Sequence, residues 1–509
     1  MNERVFFRFL LVACAILLFG CGNAKSPKPP AGGQVTVVYN GLGTGEVRVG
    51  LAKEGCGLDC PEVFGKGAAA RLIARPAKGS LFDGFSGPCS GRMPCVVPLD
   101  IPRWVAASFR DADSRYLLHV GDGNTRMSAH GFALDAGGGL AVAGGGKIWL
   151  GRYDRDGKKL WEMEGGGMRA LAVAMDELGS QWIVGRNDEG AAIEKRGAGG
   201  GVEWKGLLKG DAAATDVAVS ETGEAIVCGT FRGAVTLGKK KLESLGGQDI
   251  FVFLLSPEGK LLNSFQLGGK EDESAPHVAV DKGGALWIAY TQIALDSERD
   301  KKTGKSHLVR YSERGELVWD REIGGLSRID ALAPSAKGEV IVAGRFLSTI
   351  DAFGKTLQSA GATDAFVMAV DASGPARFAR SYGGKDNDEA SAATVDASGY
   401  IAVLGTFQHQ MKIGEQNLVC KQYPAYWSRG KPVVFAGTDI FLGIFSAEGE
   451  PLRARAFGGS GTDFAGAVAF ARGGDVVMLV EQEVLIVGKE GGISSILERM
   501  VLRRPSDAP

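Results

Sequence analysis

Short apolar runs alternate with polar turns along most of the chain after about residue 130. Runs such as HVAVD (277–281), ALWIAY (285–290) and SHLVRY (306–311) are too short for helices, and tight turns separate them. No repeat carries apolar residues at helical spacing over about ten positions, which excludes solenoids of helical repeats. The pattern predicts short strands joined by hairpins.

The turns recur in two sets that share one chemistry. An Asp or Ser in first place, replaced by Ala at 471, bonds the backbone ahead of it, and a glycine in fourth place takes the positive φ that closes the hairpin. The first set is 135–138, 176–179, 220–223, 281–284, 335–338, 396–399 and 471–474, and the second is 154–157, 256–259, 312–315, 371–374, 446–449 and a looser segment at 195–201. Seven first turns predict seven repeating units.

Each unit then holds four antiparallel strands, which we label A to D in chain order. The A–B and C–D turns are minimal, the B–C connections vary in length, and glycine pairs mark several D–A connections. Four antiparallel strands in a repeat of roughly 45–75 residues are typical of a β-propeller blade. The sequence therefore predicts an all-β fold with a seven-bladed β-propeller over 111–509.

Three units share a more specific sequence motif. The segments GGQDIFVFLLSPEGKLLNSFQLGG (246–269), GATDAFVMAVDASGPARFARSYGG (361–384) and GTDIFLGIFSAEGEPLRARAFGG (437–459) share [GA]-x-D-[IA]-F, a hairpin and [LFY]-G-G. This resembles the bacterial seven-bladed β-propeller repeat family, although units one, two and four lack the [GA]-x-D-[IA]-F step. The resemblance implies a propeller scaffold.

The last unit lacks a strand D of its own. We expect 114–120 to supply it, because an open sheet edge would otherwise remain, and 496–502 aligns with strand C of the other units.

The first residues predict an export signal. An apolar run from Phe9 to Phe19 follows Arg4 and Arg8 and is too short for a membrane-spanning helix. Its approach to Gly20 and Cys21 resembles the lipobox of bacterial lipoproteins; the alternative is an ordinary signal peptide with a chance cysteine.

The lipobox resemblance implies a signal peptide over 1–20, lipidation of Cys21, and anchoring in the bacterial cell envelope. Gly22 after the lipidated cysteine implies the outer membrane. Residues 21–33 are rich in Pro and Gly and form a tether.

Residues 34–110 predict a small β domain, starting with a hairpin between 35–39 and 41–50. Cys56, Cys60, Cys89 and Cys95 lie within 40 residues of an exported chain, which favours disulfides over zinc and leaves three pairings open. The segment resembles a bacterial extracellular β-repeat, with Phe85 where that family usually has Trp. The resemblance implies the pairs Cys56–Cys60 and Cys89–Cys95, in a stalk or a carbohydrate-binding or wall-adhesion module.

Charge and chemistry exclude several functions. Lys and Arg number 58 against 59 Asp and Glu, a net charge of -1, so no overall field attracts nucleic acid. The five His residues lack metal-ligand spacing, and no catalytic motif occurs, so we expect no catalytic residue, metal or cofactor. Asp249, Asp364 and Asp439 recur before strand C, where bonds to local backbone are favoured over calcium binding.

One insertion is a candidate partner site. The stretch 415–435 holds Tyr423, Tyr426, Trp427 and Arg429, residue types that dominate binding hot spots; the alternative is that it packs its own aromatics onto the blade. Cys228 reads as a buried thiol, while Cys420 is either free or paired.

These observations predict a non-enzymatic envelope lipoprotein that binds a protein or glycan through its B–C and D–A connections, because binding resides in variable loops on a rigid scaffold. Two alternatives remain. Segments 152–163 and 310–319 resemble the quinoprotein-like propellers of outer-membrane assembly factors, and propellers also serve as scaffolds for enzymes that act on polysaccharide.

Overall fold

The computed structural model describes the chain between residues 35 and 487 with gaps. The described residues are 35–40, 45–51, 54–55, 69–77, 80–86, 88, 95–98, 103–111, 115–119, 128–145, 148–155, 157–164, 167–296, 301–420, 424–428, 431–434, 437–458, 463–471, 476–480 and 483–487. The predicted signal peptide, Cys21 and the tether lie outside them. In the described part, no helix is long and apolar enough to cross a membrane.

The chain divides into two compact units. One comprises Met1–Tyr39, Gly45–Pro76 and Phe82–Ser108, and the other comprises Asn40–Thr44, Ala77–Leu81 and Phe109–Pro509.

Among the described residues up to 111, there are seven strands. They are β1 Val35–Asn40, β2 Gly45–Leu51, β3 Glu54–Gly55, β4 Ala69–Pro76, β5 Ser80–Ser86, β6 Cys95–Pro98 and β7 Arg103–Asp111. They form sheets of order β1-β7-β5 and β3-β2-β4-β6. The predicted hairpin between β1 and β2 is wrong, because β2 pairs with β3 and β4 while β1 belongs to the other sheet.

The small β region buries alternate residues. In β6, Cys95 and Val97 are buried while Val96 is exposed, as expected for a strand with one face on a core. Phe85 is buried, and its ring lies edge-on to Phe82 at 4.8 Å. The sulfur of Cys95 is disulfide-bonded. Cys56, Cys60 and Cys89 lie outside the described residues, so both pairings stay predictions.

The remaining strands form successive antiparallel sheets, which we number one to seven in chain order. Sheet one is β9 Ser128–Leu134, β10 Leu140–Gly145, β11 Ile148–Tyr153 and β12 Lys159–Glu164. Sheets two and three together are β13 Arg169–Met175, β14 Gln181–Asn187, β15 Gly190–Arg196, β16 Val202–Val219, β17 Ala225–Leu237, β18 Lys240–Leu255 and β19 Leu261–Leu267.

Sheet four is β20 Asp272–Val280, β21 Leu286–Asp296, β22 Lys301–Tyr311 and β23 Leu317–Glu322. Sheet five is β24 Gly324–Pro334, β25 Val340–Asp351, β26 Thr356–Val370 and β27 Ala376–Tyr382.

Sheet six is β28 Asp388–Val395, β29 Ile401–Gln408, β34 Thr438–Phe445 and β35 Pro451–Phe457, with the hairpins β30 Gln410–Ile413 with β31 Gln416–Val419 and β32 Pro424–Ser428 with β33 Lys431–Val434 inserted between its second and third strands. Sheet seven is β36 Ala465–Phe470, β37 Val476–Val480, β38 Glu483–Val487 and β8 Arg115–His119.

Sheets two and three share β16. Its first half is strand D of sheet two and pairs with β15, and its second half is strand A of sheet three and pairs with β17. The chain changes direction at Gly210, whose φ is 123°. The other sheets stand apart in the A-B-C-D order of propeller blades.

Strand β8 supplies the fourth strand of sheet seven, as the sequence predicts for 114–120. The prediction that 496–502 is strand C of that sheet is wrong. Strand C is β38, because β37 turns directly into it without the insertion that separates B from C in sheets three to six. Residues 496–502 lie outside the described part.

The A strands pack side by side. Each contacts the A strand of the next sheet, and β36 contacts β9 of sheet one. Phe132, Leu140 and Val142 of sheet one share a buried cluster with Val477 and Leu479 of sheet seven. The apolar core therefore lies between neighbouring sheets.

The predicted turns have the expected chemistry. At the first of them, the Gly138 N–H donates to the Asp135 carbonyl at 3.0 Å, and Asp135 Oδ1 accepts from the Gly137 and Gly139 N–H groups. The fourth-place glycines that the structure describes all have φ between 77° and 105°. Even the looser segment closes in this way, since Gly200 donates to Gly197.

A close backbone contact shapes strands A and B of four sheets. A Cβ atom added to Gly185, Gly229, Gly344 or Gly405 of strand B would lie 2.0 Å from a carbonyl oxygen of strand A. Strand A bulges at the same level in each of these pairs. Only glycine allows this approach.

We expect Gly229→Ala to lower the free energy of unfolding by about 3 kcal/mol, because the new methyl group would overlap the Ala213 carbonyl and the buried Phe251 ring. Urea denaturation followed by circular dichroism measures it. Gly199→Ala is the matched control, since nothing lies within 4 Å of a Cβ there. Equal stability of the two variants would contradict the packing argument.

Candidate binding surface

The two ends of the sheets differ. The A–B and C–D turns lie at one end, which we call the turn end, and the B–C and D–A connections lie at the other, which we call the arm end. The B–C connections of sheets three to six are β-hairpin extensions rather than loops. We call these extensions the arms, and their ranges are 233–247, 292–305, 348–362 and 409–436. Sheets one, two and seven have short B–C connections and no arm.

The arms of sheets three and five have the same construction. A buried phenylalanine of strand B, Phe231 or Phe346, comes just before each arm, and a left-handed residue follows two positions later, Gly233 or Ser348. Each left-handed residue donates its N–H to a serine hydroxyl on the returning strand, at 2.9 Å and 3.1 Å. The arms are thus fixed at the root by the same bonds.

One side of each of these arms is buried. Val235 and Leu242 of one arm, and Ile350 and Leu357 of the other, join the cores between sheets. In sheet six, Met411, Ile413 and Leu418 do the same. The intervening arm residues face solvent, so the arms form a supported surface with exposed side chains.

The motif F-x-[GSH]-x-[VIM] occurs at 231–235, 346–350 and 407–411, at the root of three arms. It is the feature of the sequence from which the arms could have been predicted.

The aromatic candidates fall in the second hairpin of the sheet-six arm. Tyr426 and Trp427 lie on β32, opposite Val433 and Pro432 of β33. Tyr423 and Arg429 lie outside the described residues.

Paired acids recur at the arm end. Asp249, Asp364 and Asp439 come just after an arm, on strand C. A second buried acid follows each of them by 24 positions, near the start of the next sheet: Glu273, Asp388 and Asp463.

The first acids of the pairs bond local backbone. Oδ2 of Asp249 accepts from the Leu245 N–H, and Oδ2 of Asp364 accepts from the Ala360 N–H, both at 2.9 Å. This bonding supports the structural role expected for them.

A glycine of the D–A connection separates the two acids of a pair. A Cβ atom on Gly268 would lie 2.7 Å from the Asp249 carboxyl carbon and 2.6 Å from Glu273 Oε2. Gly458 lies in the same way between Asp439 and Asp463. The glycine pairs therefore allow two carboxyl groups to approach where one sheet meets the next.

Burial and like charge perturb these acids. Burial raises the pKa of Asp388 to about 7, and the negative charges of Asp364 and Asp386 add to the effect. Burial also raises the pKa of Glu273 and of Asp364. A buried carboxyl group beside another holds its proton more tightly.

A second set of charged and polar side chains lies on strands A and B near the arm end. The Nδ1 atom of His277 in sheet four is 3.4 Å from Asp216 Oδ2 in sheet three. In sheet five, Arg328 Nε is 2.7 Å from Asp330 Oδ1 on the same strand, and Arg345 pairs with Glu389 of sheet six. The first and last of these contacts cross between sheets.

The two cysteines of the propeller unit are buried free thiols. Burial raises the pKa of Cys228 well above its ordinary value and that of Cys420 to about 12. Neither is a reactive thiolate at neutral pH. Within the described ranges, no group of three or more His, Cys, Asp or Glu residues could hold a metal ion.

Comparisons with known proteins give limited similarity. No family model matches the chain. Regulatory protein FlaEY of Caulobacter vibrioides is 27% identical over 217 residues, which cover 38% of this chain and 22% of that protein. The chain thus matches about a fifth of the length of this relative.

Two solved structures show similarity at low sequence identity. The WD40 β-propeller domain of Doa1 has a TM-score of 0.42 and 10% identity, covering 74% of this chain and 97% of that one. Streptogramin B lyase has a TM-score of 0.40 and 11% identity, covering 73% of this chain and 95% of that one.

We expect Asp388→Asn to change the pH dependence of stability. Between the ordinary pKa of 3.8 and the folded value of about 7, the folded chain keeps a proton that the unfolded chain has lost. The free energy of unfolding of the wild type therefore falls as pH rises through this window, by up to about 1.4 kcal/mol per pH unit. The asparagine variant lacks this term and should gain stability relative to the wild type as pH rises.

Urea denaturation at several pH values between about 4 and 7 measures the difference. Asp351→Asn, at an exposed arm position, is the control and should run parallel to the wild type. A parallel profile for Asp388→Asn would contradict the prediction.

Proposed function

We propose that the chain is a lipid-anchored protein of the bacterial cell envelope, in which a closed seven-bladed β-propeller binds a protein or glycan at its arm end. The small β domain, with the disulfides Cys56–Cys60 and Cys89–Cys95, serves as a stalk between the anchor and the propeller. The scaffold acts by binding and performs no catalysis.

The concentration of variety at the arm end carries this proposal. The turn end repeats one four-residue turn, whereas the arm end holds four arms of different length, sequence and charge. The buried arm roots hold the exposed positions in place without further ordering. Binding sites commonly arise where variable segments stand on such a rigid framework.

Charge also varies at this end. Lys239, Lys240 and Lys241 follow one another at the tip of the sheet-three arm, while Glu271 and Asp386 lie in D–A connections. A partner that contacts several sheets therefore meets charges of both signs, which favours specific over general attraction.

We expect Tyr426→Ala combined with Trp427→Ala to weaken partner binding at least about tenfold, because aromatic side chains dominate binding hot spots. The melting temperature should stay nearly unchanged. Binding is measured on an array of bacterial envelope glycans and by pull-down of solubilised envelope proteins.

The matched control is Glu313→Ala with Arg314→Ala, an exposed pair at the turn end. Equal loss of binding in both double variants, or a partner that protects the turn end from hydrogen exchange, would contradict the assignment to the arm end.

We expect Cys21→Ser to release the protein from membranes, since no lipid could then be attached at that position. Detergent phase partitioning after expression in a diderm bacterium measures it, with Ser26→Ala in the tether as the control. Full retention of the Cys21→Ser variant in the detergent phase would show that the anchor assignment is wrong.

A further inference from the structure

Two arginines face each other on neighbouring strands of sheet two. Arg169 of strand A lies directly opposite Arg186 of strand B in the antiparallel register. Both are exposed and lie at the arm end of their strands. Like charges placed opposite each other destabilise a sheet, so this pair costs stability unless an anion balances it.

Sheet five contains the same pair with its own anions. Arg328 and Arg345 also lie opposite each other, and each stands at the same distance from the A–B turn glycine as its counterpart in sheet two. Asp330 and Glu389 neutralise them by the ion pairs described above. The fold can thus supply acids at these positions.

Sheet two lacks those acids. Counted from the turn glycines, the position of Asp330 is taken by Leu171 and that of Glu389 by Ala213. Within the described residues, neither Arg169 nor Arg186 has an ion pair with a carboxylate. The polar neighbour of Arg169 is His130, whose Nε2 lies 3.4 Å from Arg169 Nη2.

His130 does not balance the charge of the arginines. Burial and the Arg169 charge lower the pKa of its imidazole, so the ring is neutral at neutral pH. Its Nε2 faces the Arg169 guanidinium as an acceptor, and the two arginines keep both positive charges.

Sheet two has no arm of its own. Its B–C connection is a tight turn between Asn187 and Gly190, and that of sheet one is equally short. The arm of sheet three pairs with strand D of sheet two, through Leu208 and Lys209. Arg169 and Arg186 lie on strands A and B instead, where they are exposed.

We propose that Arg169, Arg186 and His130 form a binding site for an oxyanion, a carboxylate or phosphate group. Guanidinium groups match both in bidentate geometry. The inference rests on the proposed function in that the oxyanion is the charged group of the ligand bound at the arm end.

The test is calorimetric titration of the full chain in detergent with two probes, inorganic phosphate and glucuronate. The wild type should bind at least one of them, and Arg186→Gln should lower the affinity about tenfold. Leu171→Asp, which recreates the acid of sheet five, should lower it similarly. Arg328→Gln, the equivalent change in sheet five, should leave it unchanged.

Preference for phosphate identifies a phosphorylated ligand and preference for glucuronate a uronic acid, and either supports the site. Absence of binding to both probes, or equal loss in Arg186→Gln and Arg328→Gln, overturns it. Melting temperatures exclude misfolding, and Arg186→Gln should not lower its own because it removes a repulsion. Failure of this site leaves the Tyr426 and Trp427 experiment unaffected, so the two proposals fail separately.

Discussion

The approach of a strand A carbonyl to a strand B glycine is the constraint on which the arm end depends. It accompanies a one-residue bulge in strand A, and the bulge sets which residues of A and B face each other beyond it. Sheet four has Tyr290 in place of the glycine. There two residues leave the ladder, and Ala275 takes a φ of 48°. Sheet seven keeps the one-residue bulge with Val480 at this position, so the glycine permits the close approach of the two backbones but does not by itself determine the register.

The apolar residues that stabilise the sheets and the charged residues of the arm end occupy different places. The apolar cores lie between sheets, and the roots of the arms add to them through residues such as Val235 and Ile350. The charges at the arm end are secondary to this packing, and several of them act against it. Buried paired acids and an unbalanced arginine pair cost stability, which the cores offset. Such costs are concentrated at one end.

Local chemistry explains how far the sequence predicted the fold. The four-residue turns depend on an Asp or Ser and a glycine close together in the chain, so the sequence alone predicts each of them. It does not predict which distant strands pair. The predicted pairing of β1 with β2 is wrong, and strand C of sheet seven is β38 rather than 496–502. The arms were read as loops because their alternation is short and interrupted by a left-handed residue such as Gly233.

The candidate sites divide in the same way. Asp249 and Asp364 belong to a motif that repeats in the sequence, and their hydrogen bonds to nearby backbone follow from their position in that motif. The pairing of Arg169 with Arg186 was not visible, because it depends on the bulge that aligns two strands. The missing acids are recognised only when sheets two and five are superposed by their turn glycines, which a single linear reading does not do.

The completion of sheet seven by β8 has a consequence for the order of folding. Strands β8 and β38 are far apart in the chain, so sheet seven cannot form until β38 has been synthesised. Contacts between distant segments slow folding and leave strand edges open in the meantime. During synthesis, β8 therefore lacks its partner in the sheet until the six sheets that precede β38 in the chain have already been made.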